Sequence, residues 1–500
     1  MKLNQLFLFT LVLTIFSSCT FVRTVQHFKP STLDHQKIFA CDTVHAAPPQ
    51  NLAAKAYAPS LEAPLFTDAT ATYNLPPIEQ WVPPSHRLGA TDLEDFLLKS
   101  ETTALLVIRN DTLLLEAYRN GGAEDKARII FSVSKAITSI LTAIAHEEGL
   151  LDINQKVADF IPEFGRDKRK DITIYHLMNM VSGLDWVDQD NLVKLGFLYY
   201  TKNQEKFIIK NAKLVHQPGT VHAYKSLSTQ ILGICLERAL GRSIASYLEE
   251  KIWQPLGMKH DAYVTIDSEK NRNTRAFGGM AMTATDMARL GKLLLNHGKW
   301  NDKQIIPTWY MDDLTAVRAT DRNWCNDKLC FKRNGYYEGD YAHNSHYWAS
   351  GYLGQFIFID PVHQTIIVRQ GDNEETKWNP FIGRLSNLLT KGSNDLTDAK
   401  LNFSDQFAGT YQTSEGVEMS LTPAEVDEYN RPTWSWQRST ADFPYHHKAE
   451  TLYQSDGVSI SYRTLGHYTR FFFDIKDGKV VGLYYGNTPS VTTLYLKKIN

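Results

Sequence analysis

The sequence predicts an α/β domain, in which an antiparallel sheet is flanked by helices and carries a helical subdomain, followed by a small C-terminal antiparallel β domain. Strand patterns stand on both sides of a helical stretch at about 153–314, and one sheet built from both sides of such an insertion is the economical interpretation. After Ser393 short apolar strands alternate with turn residues. This second pattern predicts a separate β domain that could close into a small barrel.

The individual elements follow from periodicity and turn residues. Two apolar segments that flank Asn110-Asp111 predict a β-hairpin, Leu105–Ile108 and Leu113–Leu115. Three apolar patterns of helical period end at a glycine, which tolerates the left-handed cap of a helix: Ala136–Ala145 before Gly149, Leu227–Leu240 before Gly241, and Asp286–His297 before Gly298. Two strands follow around Asp360-Pro361: Gln355–Ile359 and Thr365–Val368.

Length and composition set the domain organisation. The 500 residues, 43% of them hydrophobic, are enough for two or three domains. We divide the chain into a signal peptide at 1–19, a Pro- and Ala-rich tether at 20–85 that then lies over a domain surface, the α/β domain at 86–395 and the β domain at 403–500. The formal net charge of −2 and the lack of a basic stripe argue against a nucleic-acid partner. The sequence does not indicate an oligomeric state.

The N-terminus has the pattern of an export signal. Lys2 precedes an apolar run from Leu6 to Phe16, and two serines then lead to Cys19. A cysteine at this point predicts a lipoprotein signal in which Cys19 becomes the lipidated first residue. Ordinary signal cleavage is the alternative, because Phe16 is unusual three residues before such a cysteine. We therefore expect an exported protein, anchored to a membrane by its lipid, in the periplasm or at the cell surface.

The remaining cysteines suggest one disulfide and no metal site. In an oxidising compartment Cys325 and Cys330 could close a small loop, although two reduced thiols are an equally acceptable interpretation. Neither cysteine has histidines at a zinc-binding spacing. No metal and no organic cofactor is expected.

The segment Phe131-Ser132-Val133-Ser134-Lys135 has the pattern of a catalytic nucleophile. Residues three apart on a helix are neighbours, so the Lys135 amine can reach the Ser132 hydroxyl. Main-chain N–H groups at the helix N-terminus can stabilise negative charge, and a buried amine, having lost part of its affinity for a proton, can serve as a base. The four-residue pattern alone is weak, because an ordinary serine near a helix start matches it equally well.

Further motifs occur in a fixed order along the chain. They are Ile174–Leu177 leading to Ser182-Gly183-Leu184, then Tyr224-Lys225-Ser226, then Gly278-Gly279-Met280 with Thr283–Arg289. Together with the Ser132 motif, this order resembles the serine β-lactamase-related hydrolases. That family includes class C β-lactamases, D-alanyl-D-alanine carboxypeptidases, β-lactamase-fold esterases and 6-aminohexanoate-dimer hydrolases. The similarity runs from about Leu106 to Leu389 and implies a β-lactamase/transpeptidase-like fold.

The resemblance also implies roles for particular residues. Ser132 would be the acyl-accepting nucleophile, Lys135 its base and Tyr224 the proton relay to the leaving group. Ser226 would support the site. The N–H groups of Tyr352 and Ser132 would form the oxyanion hole, an assignment that depends on the alignment of the third motif.

Two departures from the family pattern concern the substrate. Ser226 stands where β-lactamases generally carry Asn, and Ala349-Ser350-Gly351 stands where they carry Lys-Thr-Gly or His-Thr-Gly. The missing cation removes the partner of a β-lactam carboxylate. Both features are more similar to the 6-aminohexanoate-dimer hydrolase and esterase branch.

Other residues are candidates for the cleft. Trp186, Ser350 and Gly351 could contact substrate, although core packing is an equal alternative for Trp186. The histidines near the motifs are expected at loops or at the cleft rim, because no Gly-x-Ser-x-Gly elbow accompanies them: His216, His222, His343 and His346.

These observations predict a serine hydrolase that cleaves amide or ester bonds of small molecules through an acyl-enzyme. A β-lactamase or a D-amino-acid peptidase acting on peptidoglycan is one alternative. A non-catalytic binding or sensor lipoprotein is the other, although simple binding does not need Ser132, Lys135 and Tyr224 together.

Overall fold

A computed structural model of the chain describes residues 40–46, 65–82, 86–186, 188, 192–315, 329–333, 346–373, 378, 382, 383, 385, 386, 388, 389, 408–414, 416, 418–424, 433–438, 450–454, 459–464, 467–476, 479–486 and 494–499. Within these ranges no helix combines the length and the apolarity that a membrane crossing requires. The predicted signal peptide and Cys19 lie outside them, so export and lipidation stay predictions.

The α/β domain contains two sheets, a short hairpin and a set of helices. The strands are β1 (Cys41–Val44), β2 (Thr67–Asp68), β3 (Thr102–Arg109), β4 (Thr112–Tyr118), β5 (Arg128–Ile129), β6 (Ala262–Thr265), β7 (Met280–Met282), β8 (Lys299–Trp300), β9 (Lys303–Gln304), β10 (Lys332–Arg333), β11 (Tyr347–Gly351), β12 (Gln355–Asp360) and β13 (Thr365–Gly371). The helices are α1 (Ile78–Trp81), α2 (Leu93–Lys99), α3 (Val133–Glu147), α4 (Val157–Phe160), α5 (Ile174–Met178), α6 (Leu192–Tyr200), α7 (Gln204–Asn211), α8 (Ser226–Leu240), α9 (Ile244–Leu248), α10 (Ala284–Leu295) and α11 (Thr308–Thr315). Short 3₁₀ turns at Pro162–Arg166 and Lys168–Asp171 and a π-helical turn at Glu249–Trp253 complete the list.

The main sheet has seven strands in the order β10-β11-β12-β13-β3-β4-β2. Its central pair, β13 and β3, is antiparallel and joins chain segments from before and after the helical insertion. The predicted architecture is therefore confirmed. A second sheet, in the order β1-β6-β7-β5, leads the chain into the Ser132 helix.

The predicted hairpin is β3 and β4, which pair antiparallel around Asn110 and Asp111. Both turn residues have positive φ angles, 47° and 57°, as a two-residue hairpin of this twist requires. All of β3 from Thr102 to Ile108 is buried. This explains why its sequence is a continuous apolar run instead of an alternating one.

Two hydrophobic cores cover the two faces of the main sheet. In β3, Ala104, Leu106 and Ile108 belong to the larger core, whereas Leu105 and Val107 belong to the other. The larger core contains α3, whose side chains are buried from Val133 to Ala145. Helix α3 is therefore the central helix of the domain, and its N-terminus is held by packing.

The helix boundaries follow the predicted glycines closely. Helix α3 ends at Glu147 before Gly149, and α8 ends at Leu240 with Gly241 in the left-handed conformation as its cap. Helix α10 ends at Leu295, two residues earlier than predicted, because Asn296 forms the C-cap.

Parts of the predicted tether take part in the packing of the α/β domain. Strand β1 pairs with β6 along its whole length. Trp81, at the end of α1, is fully buried, and its ring lies 6.1 Å from that of Phe96 and 6.2 Å from that of Trp378. Composition predicted that the tether lies over a domain surface, but it did not indicate a paired strand or a buried Trp81, because the segments are short and lie between Pro- and Ala-rich stretches.

The C-terminal domain is a closed ring of eight strands in which sequential neighbours are antiparallel. The strands are β14 (Gly409–Gln412), β15 (Glu418–Ala424), β16 (Thr433–Arg438), β17 (Glu450–Gln454), β18 (Ser459–Thr464), β19 (His467–Lys476), β20 (Lys479–Gly486) and β21 (Leu494–Lys498). Pairing of β14 with β21 closes the ring. The predicted antiparallel β domain is confirmed.

The structure does not test the predicted disulfide between Cys325 and Cys330. Cys330 is buried, and its Sγ lies 3.5 Å from the Met178 carbonyl oxygen. Cys325 lies outside the described residues, so the disulfide stays a prediction.

Candidate active site

The Ser132 hydroxyl lies within hydrogen-bond distance of the Lys135 amine. Lys135 Nζ donates to Ser132 Oγ at 2.8 Å and to the Phe277 carbonyl oxygen at 2.8 Å. Ser132 is the N-cap of α3, yet its side chain makes no capping hydrogen bond. Lys135 is only 1% exposed, while Ser132 is half-buried. The hydroxyl is therefore directed to the amine, on a residue that keeps part of its surface exposed.

The backbone before Ser132 is held in an unusual conformation. Phe131 has a φ of +44°, a region that costs about 1–3 kcal/mol for a residue other than glycine and that is often found at functional sites. The Ile130 N–H donates to the Met280 carbonyl at 2.9 Å, and the Val133 N–H donates to the Ile130 carbonyl at 3.1 Å. Together these contacts fix the entry of the chain into α3.

The predicted third motif lies against this entry. A Cβ atom on Gly351 would stand 2.2 Å from the Ile130 carbonyl oxygen, so only glycine allows β11 to approach so closely. The next residue, Tyr352, is 41% exposed, and its ring packs edge to face on Phe131 at 5.6 Å. Ser350 is half-buried and pairs with Phe356 of β12.

The tyrosine motif reaches the same place from a third part of the chain. Lys135 Nζ lies 4.9 Å from the centre of the Tyr224 ring and 5.7 Å from that of Phe277. Both distances are within the range in which an amine interacts with an aromatic face. The structure thus brings Ser132, Lys135 and Tyr224 together, although they come from two separate segments.

Asp188 organises the loop beside Tyr224, and sequence reasoning missed it. Its carboxylate accepts a hydrogen bond from the Trp186 indole at 2.7 Å, from the Ser226 N–H at 3.0 Å and from the Ser226 hydroxyl at 2.5 Å. Ser226 therefore donates its hydroxyl proton to Asp188. This hydrogen bond supports the site because it anchors the N-terminus of α8. The only available signal was the acidic run after Ser182-Gly183-Leu184.

Trp186 belongs to the protein core. It is 4% exposed and packs edge to face on Phe207 at 6.2 Å. Of the two predicted roles for Trp186, substrate contact and core packing, these surroundings match core packing. With its indole bound to Asp188, Trp186 fixes the position of the loop.

Lys225 is a second buried lysine next to Tyr224. It is 2% exposed, and burial lowers its pKa from 10.5 to about 8, although Asp185 and Asp188 act in the opposite direction. Burial also lowers the pKa of His222 to about 4, and the Lys225 charge adds to this. His222 is therefore neutral at neutral pH.

The other histidines differ from one another. His216 is exposed, as expected for the cleft rim. His346 lies in the loop directly before β11, as predicted, but it is 6% exposed and stacks on Trp348 at 5.9 Å, so the alternative place at the cleft rim is wrong. The rim position is wrong for His346 because the residue directly precedes β11 and is covered by the second core. His343 lies outside the described residues.

Among the residues that the structure describes, no group of three or more His, Cys, Asp or Glu side chains could hold a metal ion. What the arrangement offers is a hydroxyl, an amine and a phenol at the start of a buried helix. Such a set is suited to attack on a carbonyl followed by proton transfer.

Comparisons with known proteins agree on the fold. The family model described as Beta-lactamase matches residues 93–375. The chain is 24% identical over 323 residues to the 6-aminohexanoate-dimer hydrolase of Paenarthrobacter ureafaciens, which covers 60% of this chain and 79% of that protein. It is also 24% identical over 303 residues to the N-acetylmuramyl-L-alanine amidase of Bacillus subtilis (strain 168). That alignment covers 48% of this chain and 67% of the amidase.

Among the solved structures with a similar fold is one that the match covers over most of that structure's length. It is described as "Putative 6-aminohexanoate-dimer hydrolase from Bacillus anthracis" and superposes with a TM-score of 0.57 at 23% identity. The match covers 75% of this chain and 96% of that one. At this identity the similarity establishes the fold alone.

Proposed function

Since this chain belongs to the beta-lactamase family, we propose that it is a serine hydrolase that cleaves amide or ester bonds of small molecules through an acyl-enzyme on Ser132. Its relatives include a dimer hydrolase and an amidase, so the chain is a hydrolase of the β-lactamase fold. The 2.8 Å contact between Lys135 Nζ and Ser132 Oγ carries the finer proposal.

Lys135 acts as the base in the first step. Burial of a lysine disfavours its charged form, and a neutral amine can accept the Ser132 proton while the Ser132 oxygen attacks the substrate carbonyl. The bond from Ser132 Oγ to the carbonyl carbon forms, and the carbonyl electron pair moves to its oxygen. The contact between Lys135 and the Phe277 carbonyl keeps the amine aligned in both protonation states, because an ammonium and an amine can each donate to it.

The N–H groups of Ser132 and Tyr352 stabilise the resulting oxyanion. Gly351 supports this assignment, because its close approach to the Ile130 carbonyl brings the start of the β11–β12 turn beside the nucleophile. Preorganised donors at such a position lower the barrier by about 3–4 kcal/mol each.

Tyr224 completes the cycle by passing a proton to the leaving group. Its ring lies 4.9 Å from the Lys135 amine, which supports a role for Tyr224 beside the base. In the proposed cycle a proton taken up by Lys135 returns through the Tyr224 hydroxyl to the departing amine or alcohol. Water then attacks the acyl-enzyme, with the same groups acting in reverse, and releases the acid.

Two substrate classes are favoured by different observations. The absence of a lysine or histidine at the start of the third motif, Ala349-Ser350-Gly351, favours small amides or esters without the carboxylate of a β-lactam. The named N-acetylmuramyl-L-alanine amidase favours peptidoglycan amides as the second candidate. A β-lactamase, or a binding protein without turnover, is the remaining alternative.

We also propose that the protein is exported and held at a membrane by a lipid on Cys19, because an apolar run and two serines precede that cysteine. Metabolic labelling with a fatty-acid analogue tests this. The label should be incorporated into the wild-type chain and should be lost in Cys19→Ala. Retained label in the variant would contradict lipidation at this residue.

The activity is tested on p-nitrophenyl acetate, a D-alanine anilide and a chromogenic cephalosporin, with Ser132→Ala and the exposed-site control Ser246→Ala. We expect turnover of the ester or the anilide, abolished only by the first substitution. Faster turnover of the cephalosporin would favour the β-lactamase alternative. Turnover that survives Ser132→Ala would overturn the proposal.

A further inference from the structure

We propose that Arg369 is a positioning residue that holds the turn carrying the Tyr352 oxyanion-hole N–H in its active geometry. The inference rests on the proposed function, because it gives the Tyr352 N–H a task in the reaction. Arg369 lies in the middle of β13 and is 0% exposed. A buried guanidinium is expensive unless its donors are satisfied, so its contacts indicate what it does.

Arg369 donates to main-chain carbonyls at two places. Nη1 donates to the Gly354 carbonyl at 2.7 Å and to the Leu353 carbonyl at 3.2 Å. On the opposite side Nη2 donates to the Ser100 carbonyl at 2.9 Å, and Nε donates to Thr102 Oγ1 at 3.0 Å. The side chain thus joins the β11–β12 turn to the start of β3, which is a rigid central strand.

Gln355 supports the same turn from inside. Its amide donates to the Gly371 carbonyl at 2.6 Å, to the Tyr352 carbonyl at 3.3 Å and to the Leu353 carbonyl at 3.4 Å. Buried side chains therefore hold all three carbonyls of the turn. Since a peptide group is planar, fixing these carbonyls fixes the N–H groups of Leu353, Gly354 and Gln355. The Tyr352 N–H shares its peptide plane with the Gly351 carbonyl, so it is positioned indirectly, between the fixed Tyr352–Leu353 peptide on one side and the close approach of Gly351 to the Ile130 carbonyl on the other.

The turn needs this support because its backbone is otherwise unfavourable. Leu353 has a φ of +63°, which costs about 1–3 kcal/mol for a residue other than glycine, whereas Gly354 adopts its φ of +78° without strain. Tyr352 is 41% exposed although its ring packs on Phe131, so the hydrogen bonds to the turn add to the rigidity that this one-sided packing supplies. A displacement of about 1 Å at such a donor costs roughly 100-fold in rate. Arg369 and Gln355 supply the rigidity through hydrogen bonds.

The chain also leaves space for the guanidinium. A Cβ atom on Gly371 would stand 2.5 Å from Arg369 Nη2. Gly371 has no positive φ angle, so alanine there is compatible with the backbone, and the three nearest atoms that its Cβ would meet all belong to the Arg369 guanidinium. Gly371→Ala therefore displaces the Arg369 guanidinium while the residue types of Arg369 and of the turn are kept.

The test compares Arg369→Lys, Arg369→Met and Gly371→Ala with the wild type in hydrolysis of p-nitrophenyl acetate. We expect kcat to fall about 100-fold in Arg369→Met and about 10-fold in the other two, with KM within about twofold, because an oxyanion donor acts mainly in the transition state. The affinity for phenylboronic acid, which forms a tetrahedral adduct with a serine, should fall in parallel with kcat/KM.

Arg169→Lys is the matched control. Arg169 is 8% exposed and likewise donates to main-chain carbonyls, of Ile209 at 3.3 Å and Ala212 at 3.1 Å, but none of these belongs to the turn. We expect it to lower the melting temperature without changing kcat per folded molecule. Rates are normalised to the folded fraction measured by circular dichroism, so that instability is not counted as lost catalysis.

Two failures can be told apart. If Ser132→Ala keeps wild-type turnover, the proposed function fails. If Ser132→Ala is inactive but the folded Arg369 and Gly371 variants keep kcat and boronate affinity within about twofold, only the positioning role is overturned. A rise in KM with an unchanged kcat would also contradict it, since that pattern indicates uniform binding.

Discussion

Asp188 and Ser226 are joined by two kinds of hydrogen bond although they lie 38 residues apart. The Ser226 hydroxyl and the Ser226 N–H both donate to the Asp188 carboxylate, which also receives the Trp186 indole. The serine of the tyrosine motif therefore anchors a loop. This relationship explains how a serine can occupy a position at which an asparagine is usual in β-lactamases.

Removal of the Asp188 carboxylate should loosen this loop. Asp188→Ala leaves several buried donors without an acceptor, at about 1–3 kcal/mol for each unsatisfied group, so we expect a loss of roughly 3 kcal/mol in stability and a fall in activity of about 100-fold. Asp188→Asn keeps one acceptor oxygen and should lose less of both. Thermal unfolding and ester hydrolysis measure the two effects. Equal behaviour of the two variants would contradict the anchoring role.

Loss of the Lys135 amine should lower the rate by at least about 100-fold, the usual contribution of a positioned base. The variant is Lys135→Ala, assayed on p-nitrophenyl acetate at several pH values. Lys156→Ala serves as the control, because Lys156 is 52% exposed and pairs only with Asp171 in the part of the chain described. A rate for Lys135→Ala close to that of the control would show that another group accepts the Ser132 proton.

Because of Lys225, the free energy of unfolding should depend on pH in the alkaline range. Burial lowers its pKa to about 8 in the folded chain, against 10.5 as the ordinary value. Between these values the unfolded chain binds more protons than the folded one, so the free energy of unfolding rises with pH. The contribution is complete above pH 10.5 and is lost as the pH falls through about 8.

Calorimetry of the wild type and Lys225→Met between about pH 7 and pH 10 measures this contribution. The wild type should gain stability relative to the variant as the pH rises above 8. A difference that does not change with pH would show that Lys225 titrates normally in the folded state.

Deletion of the chain after Ser393 should spare the chemistry on small substrates. The groups assigned to the reaction lie between Ser132 and Tyr352, and the family match ends at residue 375. We expect kcat/KM for p-nitrophenyl acetate within about threefold of the full chain. A truncated protein that is folded by circular dichroism but inactive would show that the β domain completes the site.

The sequence predicted what depends on local spacing. Ser132 and Lys135 are three residues apart, so helical geometry alone brings them together. The hairpin of β3 and β4 depends on Asn110 and Asp111, whose tolerance of positive φ is an intrinsic property. These features need no knowledge of the tertiary fold.

Features that depend on distant contacts were not predictable. Asp188 is one acidic residue among several until the fold brings it to Ser226. Arg369 stands next to an apolar strand pattern, and only the tertiary structure gives its guanidinium acceptors at Gly354 and Ser100. The sequence places the short strand β1 in the tether, because a four-residue strand carries little periodicity of its own.

The most direct test of the account is the site of covalent modification by a serine-reactive fluorophosphonate. Mass spectrometry of the intact protein should show a single adduct on the wild type, and peptide mapping should assign it to Ser132. Ser132→Ala should remain unmodified, while Ser246→Ala is modified like the wild type. An adduct that persists in Ser132→Ala, or that maps to another residue of the wild type, would contradict the assignment of the nucleophile.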